Sequence, residues 1–267
     1  MRFITITSGK GGVGKSTLAA NISYMLSQYG YRVALFDADV GLANQDIILD
    51  VKPKYTILDV LKGDVSFDEA VVRINNNFLL IPGESGEEIL KYTNADILET
   101  FYDGVEKLGE LDYLVIDTGA GIGESVQSFI KAATDTIIVT IPDPSAIMDA
   151  YSMIKYTSKV KKELFLIVNR AKNAKEAHEI ASKLQNVAKK HLGDLKIEFL
   201  GFVERSELVE ECSKKRKLIV KEYGGSIPAL EIADIVKRLT NFLTKEGEHI
   251  KETPNISIFF KRLLQQI

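Results

Sequence analysis

The sequence is poor in cysteine and contains no long apolar run. Cys212 is the single cysteine among 267 residues, which excludes an intramolecular disulfide framework and a C-x-x-C metal site and suits a reducing cytosol. No stretch approaches the roughly 20 apolar residues that a bilayer-spanning helix needs, and residues 1–8 lack the pattern of an export signal. We therefore expect a protein that is made and kept inside the cell.

An excess of positive charge is also missing. The chain carries 34 Lys and Arg against 37 Asp and Glu, for a net charge of −3, so it has no overall attraction to nucleic acid. The four basic residues at 214–217 are typical of a solvated face on an acidic protein. His178, His191 and His249 are scattered and lack the spacing of metal ligands.

The most informative segment that is present is a glycine-rich loop. Residues 8–17 read Ser-Gly-Lys-Gly-Gly-Val-Gly-Lys-Ser-Thr and fit the pattern G-x-x-x-x-G-K-[ST]. Backbone N–H groups of such a loop point at phosphate oxygens, Lys15 can reach the β and γ phosphates, and Ser16 can bind Mg²⁺. A strand predicted over 2–7 and a helix over 17–29 give the loop its required flanks. The residues predicted to bind nucleotide here are Gly11, Gly12, Val13, Gly14, Lys15, Ser16 and Thr17.

Short apolar runs alternate with amphipathic stretches along the chain. The runs lie at 33–36, 78–81, 113–116, 136–140, 164–168 and 199–203. Continuous Val, Ile and Leu are typical of parallel strands covered on both faces, and helices between them supply the crossovers. We predict helices at 17–29, 95–109, 124–133, 145–159, 174–191, 205–212 and 228–244. The pattern predicts an α/β domain over residues 1–243 with a doubly wound, mostly parallel sheet.

Carboxylates follow two of the predicted strands. Asp117 ends one strand and precedes a turn of small residues at 118–121. There it can hold a Mg²⁺-bound water, and the turn can move when the γ-phosphate leaves. Asp37 and Asp39 end another strand and lie on the same side by alternation. One of them can support the metal through water while the other orients or deprotonates the attacking water.

Asn169 ends the strand predicted over 164–168, where the sheet borders the nucleotide crevice. Its amide can recognise the adenine of the nucleotide. A strand-ending asparagine can equally cap the helix that follows it. The sequence leaves both interpretations open.

The C-terminal residues form a separate unit. Residues 244–255 are polar and charged and are predicted to be a linker. Ile256, Phe259, Phe260, Leu263, Leu264 and Ile267 then recur at helical spacing, with Lys261 and Arg262 on the other side. This pattern predicts an amphipathic helix over 256–267 that binds a membrane surface. A helix packed on the domain has the same pattern, and the two states can alternate if ATP-driven dimerisation releases the helix.

Residues 10–16, 37–41, 117–121 and 169–170 together resemble the deviant Walker A ATPases, the MinD/ParA family, over residues 1 to about 243. The resemblance implies that two monomers sandwich two ATP molecules and that Lys10 reaches the phosphates of the partner subunit. It associates Asp39 with hydrolysis, which leaves Asp37 to join Ser16 and Asp117 at the Mg²⁺. The terminal helix resembles the membrane-targeting tail of the MinD branch and implies a cytoplasmic protein bound reversibly to lipid at the inner face of the cell membrane.

Within that branch, residues 41–49, 53–56 and 142–152 look more like the flagellar-number regulators (FlhG/FleN type) than the division-site selectors. The division-type proteins usually have arginine where Ala43 and Met148 stand. The resemblance implies flagellar switch proteins and an SRP-like GTPase as partners. Flagellar members generally carry an N-terminal extension that activates this GTPase, whereas this sequence begins at its first strand, so we expect either a trimmed extension or no activating function.

Other functions of the same fold explain less of the sequence. A division-site MinD protein shares the chemistry and the membrane cycle and differs in its partner, which makes it the main alternative. A DNA-partition ATPase of the ParA type needs a basic surface, and the nitrogenase iron protein needs two cysteines per subunit for its cluster. An ATP-dependent ligase would not need the tethered helix.

Overall fold

The fold is built on one mixed sheet. The computed structural model describes residues 1–39, 44–83, 109–247 and 256–264. The strands are β1 (Arg2–Ser8), β2 (Val33–Ala38), β3 (Val72–Asn75), β4 (Phe78–Ile81), β5 (Tyr113–Ala120), β6 (Asp135–Thr140), β7 (Glu163–Ala171) and β8 (Lys196–Glu204). Within the described ranges they form a sheet of eight strands in the order β3-β4-β2-β5-β1-β6-β7-β8. Every pairing is parallel except that of β3 with β4. The predicted doubly wound, mostly parallel sheet is therefore confirmed.

The helices follow the predicted crossovers with small shifts at their ends. They are α1 (Lys15–Gln28), α2 (Gln45–Ile48), α3 (Ile57–Lys62), α4 (Phe67–Ala70), α5 (Glu124–Ala132), α6 (Pro144–Thr157), α7 (Ala174–His191), α8 (Glu207–Lys214), α9 (Ile219–Glu222), α10 (Ile227–Gly247) and α11 (Ile256–Leu264). The sequence did not predict α2, α3, α4 and α9. The helix predicted over 95–109 falls almost wholly outside the described residues. None of the helices described is both long enough and apolar enough to cross a bilayer.

The sheet buries both of its faces, as its apolar strands require. Alternate side chains of β1 show the division, because Ile4 and Ile6 pack with α1 and α10 whereas Phe3 packs on the opposite face. That opposite face is covered by α3, α4, α5 and α11 beside β2 and β4, and by α6 and α7 beside β7. Because the strands are parallel, their carboxyl ends meet at one edge of the sheet, where polar side chains from several strands converge.

The C-terminal helix α11 is docked on the domain. Phe259, Phe260 and Leu263 are buried, with the ring of Phe259 5.3 Å from that of Phe3 and the ring of Phe260 5.7 Å from that of Phe36. The first part of the predicted linker continues α10, which runs to Gly247, and residues 248–255 lie outside the described residues. The apolar stripe of this helix is thus a core element in this state of the protein.

Candidate nucleotide site

The glycine-rich loop joins β1 to α1, as predicted. Gly14 precedes the first helical residue with φ of 88°, in the left-handed region that glycine adopts without strain. A Cβ at this position would lie 2.4 Å from Nδ2 of Asn169. That amide donates a hydrogen bond to the carbonyl of Val13 at 2.7 Å. The end of β7 therefore holds the loop in place and leaves no room for a side chain at Gly14.

Lys15, Ser16 and Asp117 meet behind the loop. Lys15 Nζ lies 2.6 Å from Asp117 Oδ1, and the two side chains are 7% and 0% exposed. The same ammonium group lies 3.4 Å from Ser16 Oγ. A buried ion pair of this kind is costly to break by removing one partner, because the other charge is left without compensation. Lys15, which the sequence assigns to the phosphates, is thus paired with Asp117, which the sequence assigns to Mg²⁺.

Asp37 stands beside Asp117 on the neighbouring strand, since the two are paired in the register of β2 and β5. Its Oδ2 atom accepts hydrogen bonds from the backbone N–H groups of Asn44 at 2.8 Å and Gln45 at 2.9 Å. Burial and the charge of Asp117 raise the pKa of Asp37 to about 7, although these backbone donors oppose the shift. Two carboxyl groups this close favour binding of a cation between or beside them.

Gln45 belongs to this site, although the sequence analysis assigned it no role. It is fully buried, and its Nε2 atom donates to Asp117 Oδ2 at 2.7 Å and to the carbonyl of Ser16 at 3.0 Å. Both oxygens of Asp117 are therefore hydrogen-bonded, one to Lys15 and one to Gln45. The sequence signal was weak, because a glutamine beyond a strand end is usually a surface residue.

The residues of this cluster fit a hydrated magnesium ion. Gln45 Oε1 and Asn44 Oδ1 are buried and have no hydrogen-bond partner within the described part of the chain. Buried polar atoms are rarely left in this condition. Amide and carboxylate oxygens, together with ordered water, are the ligands that Mg²⁺ takes in proteins. Ser16, Asp37 and Asp117 carry further oxygen atoms at the same edge of the sheet.

Asp39 lies at the rim of the cluster. Its backbone N–H donates to Asp37 Oδ1 at 3.3 Å, and its side chain is half-buried. A Cβ built on Gly119 would lie 3.3 Å from Asp39 Oδ1, so the carboxylate packs against the backbone of the small-residue turn. That turn is tied to the start of the phosphate loop, because the N–H of Gly121 donates to the carbonyl of Ser8 at 2.9 Å. Asp39 thus lies beside the turn that is tied to the phosphate loop. Residues 40–43, which include the predicted Gly41, lie outside the described residues.

Lys10 contacts the start of α6. Its Nζ atom lies 3.0 Å from Asp143 Oδ1 and donates to Ser145 Oγ. Asp143 also caps α6 by accepting from the N–H of Ala146 at 2.9 Å. Hydrogen bonds from Ser145, Ala146 and Lys10 hold the pKa of Asp143 well below its usual range. Lys10 and Asp143 are 41% and 43% exposed, so solvent weakens the ion pair and the lysine can leave it at low cost.

Asn169 does not cap the helix after it. Asn173 does so, since its side chain accepts from the N–H of Glu176 at 3.0 Å. The capping interpretation of Asn169 is therefore wrong, because β7 continues to Ala171 and Asn173 is the residue directly before α7. Asn169 instead lines a cavity of about 260 Å³ beside the first turn of α1. Other residues lining this cavity include Gly14, Thr17, Arg170, Arg205 and Ser206.

The predicted membrane residues divide into a buried set and an exposed set. Phe259, Phe260 and Leu263 are buried in a groove that Phe3 and Phe36 help to form. Lys261 and Arg262 are exposed. The side chains of Ile256 and Leu264, and the whole of Ile267, lie outside the described residues. The basic side of the helix is therefore accessible in a state in which its apolar side is not.

Comparison with known proteins assigns the chain to a family. The ParA family model, described as NUBPL iron-transfer P-loop NTPase, matches residues 1–240. The flagellum site-determining protein YlxH of Helicobacter pylori is 45% identical over 267 residues, which cover 100% of this chain and 90% of that protein. The antiactivator FleN of Pseudomonas aeruginosa is 30% identical and covers 99% of this chain and 94% of FleN. The septum site-determining protein MinD of Pyrococcus horikoshii, solved with Mg-ADP, has a TM-score of 0.73 at 25% identity and covers 94% of this chain and 99% of that one.

Proposed function

The chain belongs to the ParA/MinD family of P-loop NTPases, and we propose that it is an ATPase that regulates the number or placement of flagella by cycling between a monomer and a membrane-bound ATP dimer. The observation that carries the flagellar part is the 45% identity to a flagellum site-determining protein over the whole chain, tail included. FleN supports the same interpretation over 99% of the chain. Partners of the flagellar type, namely switch proteins and an SRP-like GTPase, follow from this assignment.

ATP and Mg²⁺ are the cofactors that the site fits. The loop at 9–17 would hold the phosphates, and Ser16, Asp37 and Asp117 would hold Mg²⁺ directly or through water. When bound, Mg²⁺ neutralises charge on the phosphates during phosphoryl transfer. Lys15 would exchange the Asp117 carboxylate for a phosphate oxygen, and the cavity beside Asn169 would take the base. Asp39 would orient or deprotonate the attacking water.

We propose that Lys10 acts in the partner subunit. In the monomer it is held by Asp143 and Ser145 at the start of α6. Ser145 is exposed and the side chain of Asp143 is 43% exposed, so a phosphate group of a second subunit can replace them at little cost. Hydrolysis would then require self-association, because the charge around the phosphates is complete only in the dimer.

The Lys10→Ala variant is expected to bind ATP nearly as well as the parent and to lose ATP-dependent dimerisation. The phosphate loop keeps Lys15, but the contact across the subunit interface is gone. Equilibrium binding of a fluorescent ATP analogue and light scattering with ATP and Mg²⁺ measure the two effects separately. Asp143→Asn is the matched variant, since it weakens the hold on Lys10 while an amide still caps α6, and it should dimerise at least as well as the parent. A Lys10→Ala protein that dimerises and hydrolyses normally would contradict the role in trans.

We propose that α11 is a membrane anchor that the monomer stores in its own groove. Phe260 packs on Phe36, the residue that precedes Asp37 on β2. A movement of Asp37 around the nucleotide would therefore act on the preceding residue, Phe36, which forms part of the groove that holds α11. A single short apolar helix binds membranes marginally, whereas a dimer presents two, and the second is held at a local concentration near the millimolar range. Release of the helix and dimerisation would therefore act together.

Co-sedimentation with vesicles of phosphatidylglycerol and phosphatidylcholine tests this switch. We expect binding to require ATP and Mg²⁺, to increase with the phosphatidylglycerol content, and to disappear in Phe259→Glu/Phe260→Glu. The exposed pair Lys261→Gln/Arg262→Gln should weaken binding without removing it. Equal sedimentation of the phenylalanine variant and the parent, or sedimentation that ignores ATP, would show that α11 is only a structural helix.

Division-site selection is the second candidate, favoured by the structural match to MinD at a TM-score of 0.73. Affinity capture from a flagellated host distinguishes the two functions. Recovery of flagellar switch proteins or an SRP-like GTPase supports the first, and recovery of a division inhibitor supports the second. Iron transfer, which the family model's description mentions, would need more thiolate ligands than the lone Cys212 provides. The net charge of −3 argues against DNA partition.

A further inference from the structure

Basic side chains collect at one edge of this acidic protein. Because β6, β7 and β8 are parallel, their amino ends share an edge of the sheet, and α5, α6 and α7 end there. We call this the basic edge. Its lysines are Lys131, Lys159, Lys161, Lys162, Lys189, Lys190 and Lys196. The acids Asp135 and Glu163 at the same edge are bound to Arg2 and Lys196, respectively, and Asp194, between α7 and β8, adds one exposed acid. The basic edge is therefore positive although the whole chain carries −3.

Helix electrostatics explain only part of this cluster. Lysines in the last turn of a helix are favoured by the helix dipole, and this accounts for those of α5 and α7. Residues 158–162, which join α6 to β7, lie beyond the helix and carry three more lysines. Val160 stands among them and is 40% exposed. An exposed apolar side chain surrounded by lysines is the composition of a segment that lies on an anionic lipid surface.

The end of α10 and the docked α11 both lie at the basic edge. The α10 end reaches it through Phe242, whose ring packs 5.1 Å from that of Phe165 and under Lys196 Nζ at 4.4 Å. The docked α11 lies there too, because the ring of Phe259 packs 5.3 Å from that of Phe3, and the carbonyl of Phe3 accepts from the N–H of Thr134, the residue before β6, at 2.9 Å. A tail that leaves its groove is thus anchored at the edge that carries residues 158–162.

We propose that residues 158–162 form a second membrane contact, in which Lys159 and Lys162 bind anionic lipid headgroups and Val160 enters the interface. The proposal rests on the proposed membrane function of α11. A basic patch is one kind of signal that strengthens a weak apolar anchor, and each subunit of the dimer would add one beside its α11. Nucleic acid or an acidic protein would match the charge but would not account for the exposed valine or for the position of the tail.

The test is co-sedimentation of the full chain with phosphatidylglycerol vesicles in the presence of ATP and Mg²⁺. Lys159→Glu/Lys162→Glu removes two exposed lysines and leaves Lys161, which donates to the carbonyl of Ala133, in place. Each base near an anionic surface strengthens binding about fivefold, so loss of the two lysines alone should weaken binding about 20- to 30-fold, and the two introduced carboxylates should weaken it further. Val160→Ser should weaken binding severalfold. The matched control is Lys175→Glu/Lys183→Glu, which makes the same charge change on the exposed side of α7 and should bind like the parent.

The outcomes separate this inference from the proposed function. If Phe259→Glu/Phe260→Glu abolishes binding while the loop variant sediments like the parent, the tail binds alone and the second contact is wrong. If the control loses as much as the loop variant, the effect is one of net charge and the inference also fails. If the phenylalanine variant binds like the parent, the membrane function of α11 itself fails. ATP-dependent dimerisation measured by light scattering should be unchanged in the loop variant, and its loss would assign these lysines to the dimer instead.

Discussion

Replacing Lys15 with alanine is expected to abolish ATP binding and, in the nucleotide-free protein, to lower the free energy of unfolding by about 3–5 kcal/mol. The first effect follows from the place of Lys15 in the phosphate loop. The second follows from the ion pair, because Lys15 Nζ lies 2.6 Å from Asp117 Oδ1 and Asp117 is fully buried. Without the lysine, that carboxylate keeps only its hydrogen bond to Gln45 at 2.7 Å among the described side chains of this cluster.

The double variant Lys15→Ala/Asp117→Asn separates the two roles. It no longer buries an uncompensated charge, so it should recover much of the lost stability while still failing to bind ATP. Urea unfolding followed by circular dichroism measures stability, and titration with a fluorescent ATP analogue measures binding. A Lys15→Ala protein that unfolds at the parental urea concentration would show that the ion pair does not stabilise the monomer.

The sheet was predictable because its strands are continuous apolar runs buried on both faces. The edge strand β3 was not predicted, since Val72, Arg73, Ile74 and Asn75 alternate over only four residues and are partly exposed. The short helices α2 and α4 have four residues each and carry no helical period to detect. Elements were thus missed where burial is incomplete or where the segment is too short for its pattern to repeat.

The site was predictable where its chemistry is local in sequence. The phosphate loop and the strand-ending Asp37 and Asp117 follow from spacing alone, and the structure places them together. The contact of Lys10 with Asp143 joins residues 133 positions apart, so no local pattern indicates it. Gln45 was missed for the same reason, since its partner Asp117 is 72 positions away.

The tail shows a different limit of sequence reasoning. A helical apolar stripe records that Phe259, Phe260 and Leu263 avoid water, but a lipid surface and a protein groove satisfy that requirement equally. The groove is formed by Phe3 and Phe36, more than 200 positions earlier in the chain. The docked state therefore had to come from the structure, and the membrane state remains a prediction.

Asp39→Ala is expected to lower ATP turnover by about 10²- to 10⁴-fold, the usual contribution of a general base, and to leave ATP affinity nearly unchanged. The carboxylate lies at the rim, against Gly119. The inner cluster is held by the contacts of Asp117 with Lys15 and Gln45, which the substitution does not touch. Binding would survive while positioning of the attacking water is lost, so the ATP-bound dimer should accumulate.

Light scattering in ATP and Mg²⁺ should give the dimer mass for Asp39→Ala under conditions in which the parent returns to monomer as it consumes ATP. Asp39→Asn should behave in the same way, because an amide keeps the shape of the side chain but cannot accept the proton. Asp46→Ala removes the same charge from α2, close along the chain, and should hydrolyse ATP like the parent. If Asp39→Asn hydrolyses ATP at the parental rate while Asp39→Ala does not, Asp39 acts by packing against the turn at Gly119 rather than as a base. A monomeric Asp39→Ala protein with ATP bound would instead place this carboxylate in the subunit interface, since dimerisation and not hydrolysis would then be the step that needs it.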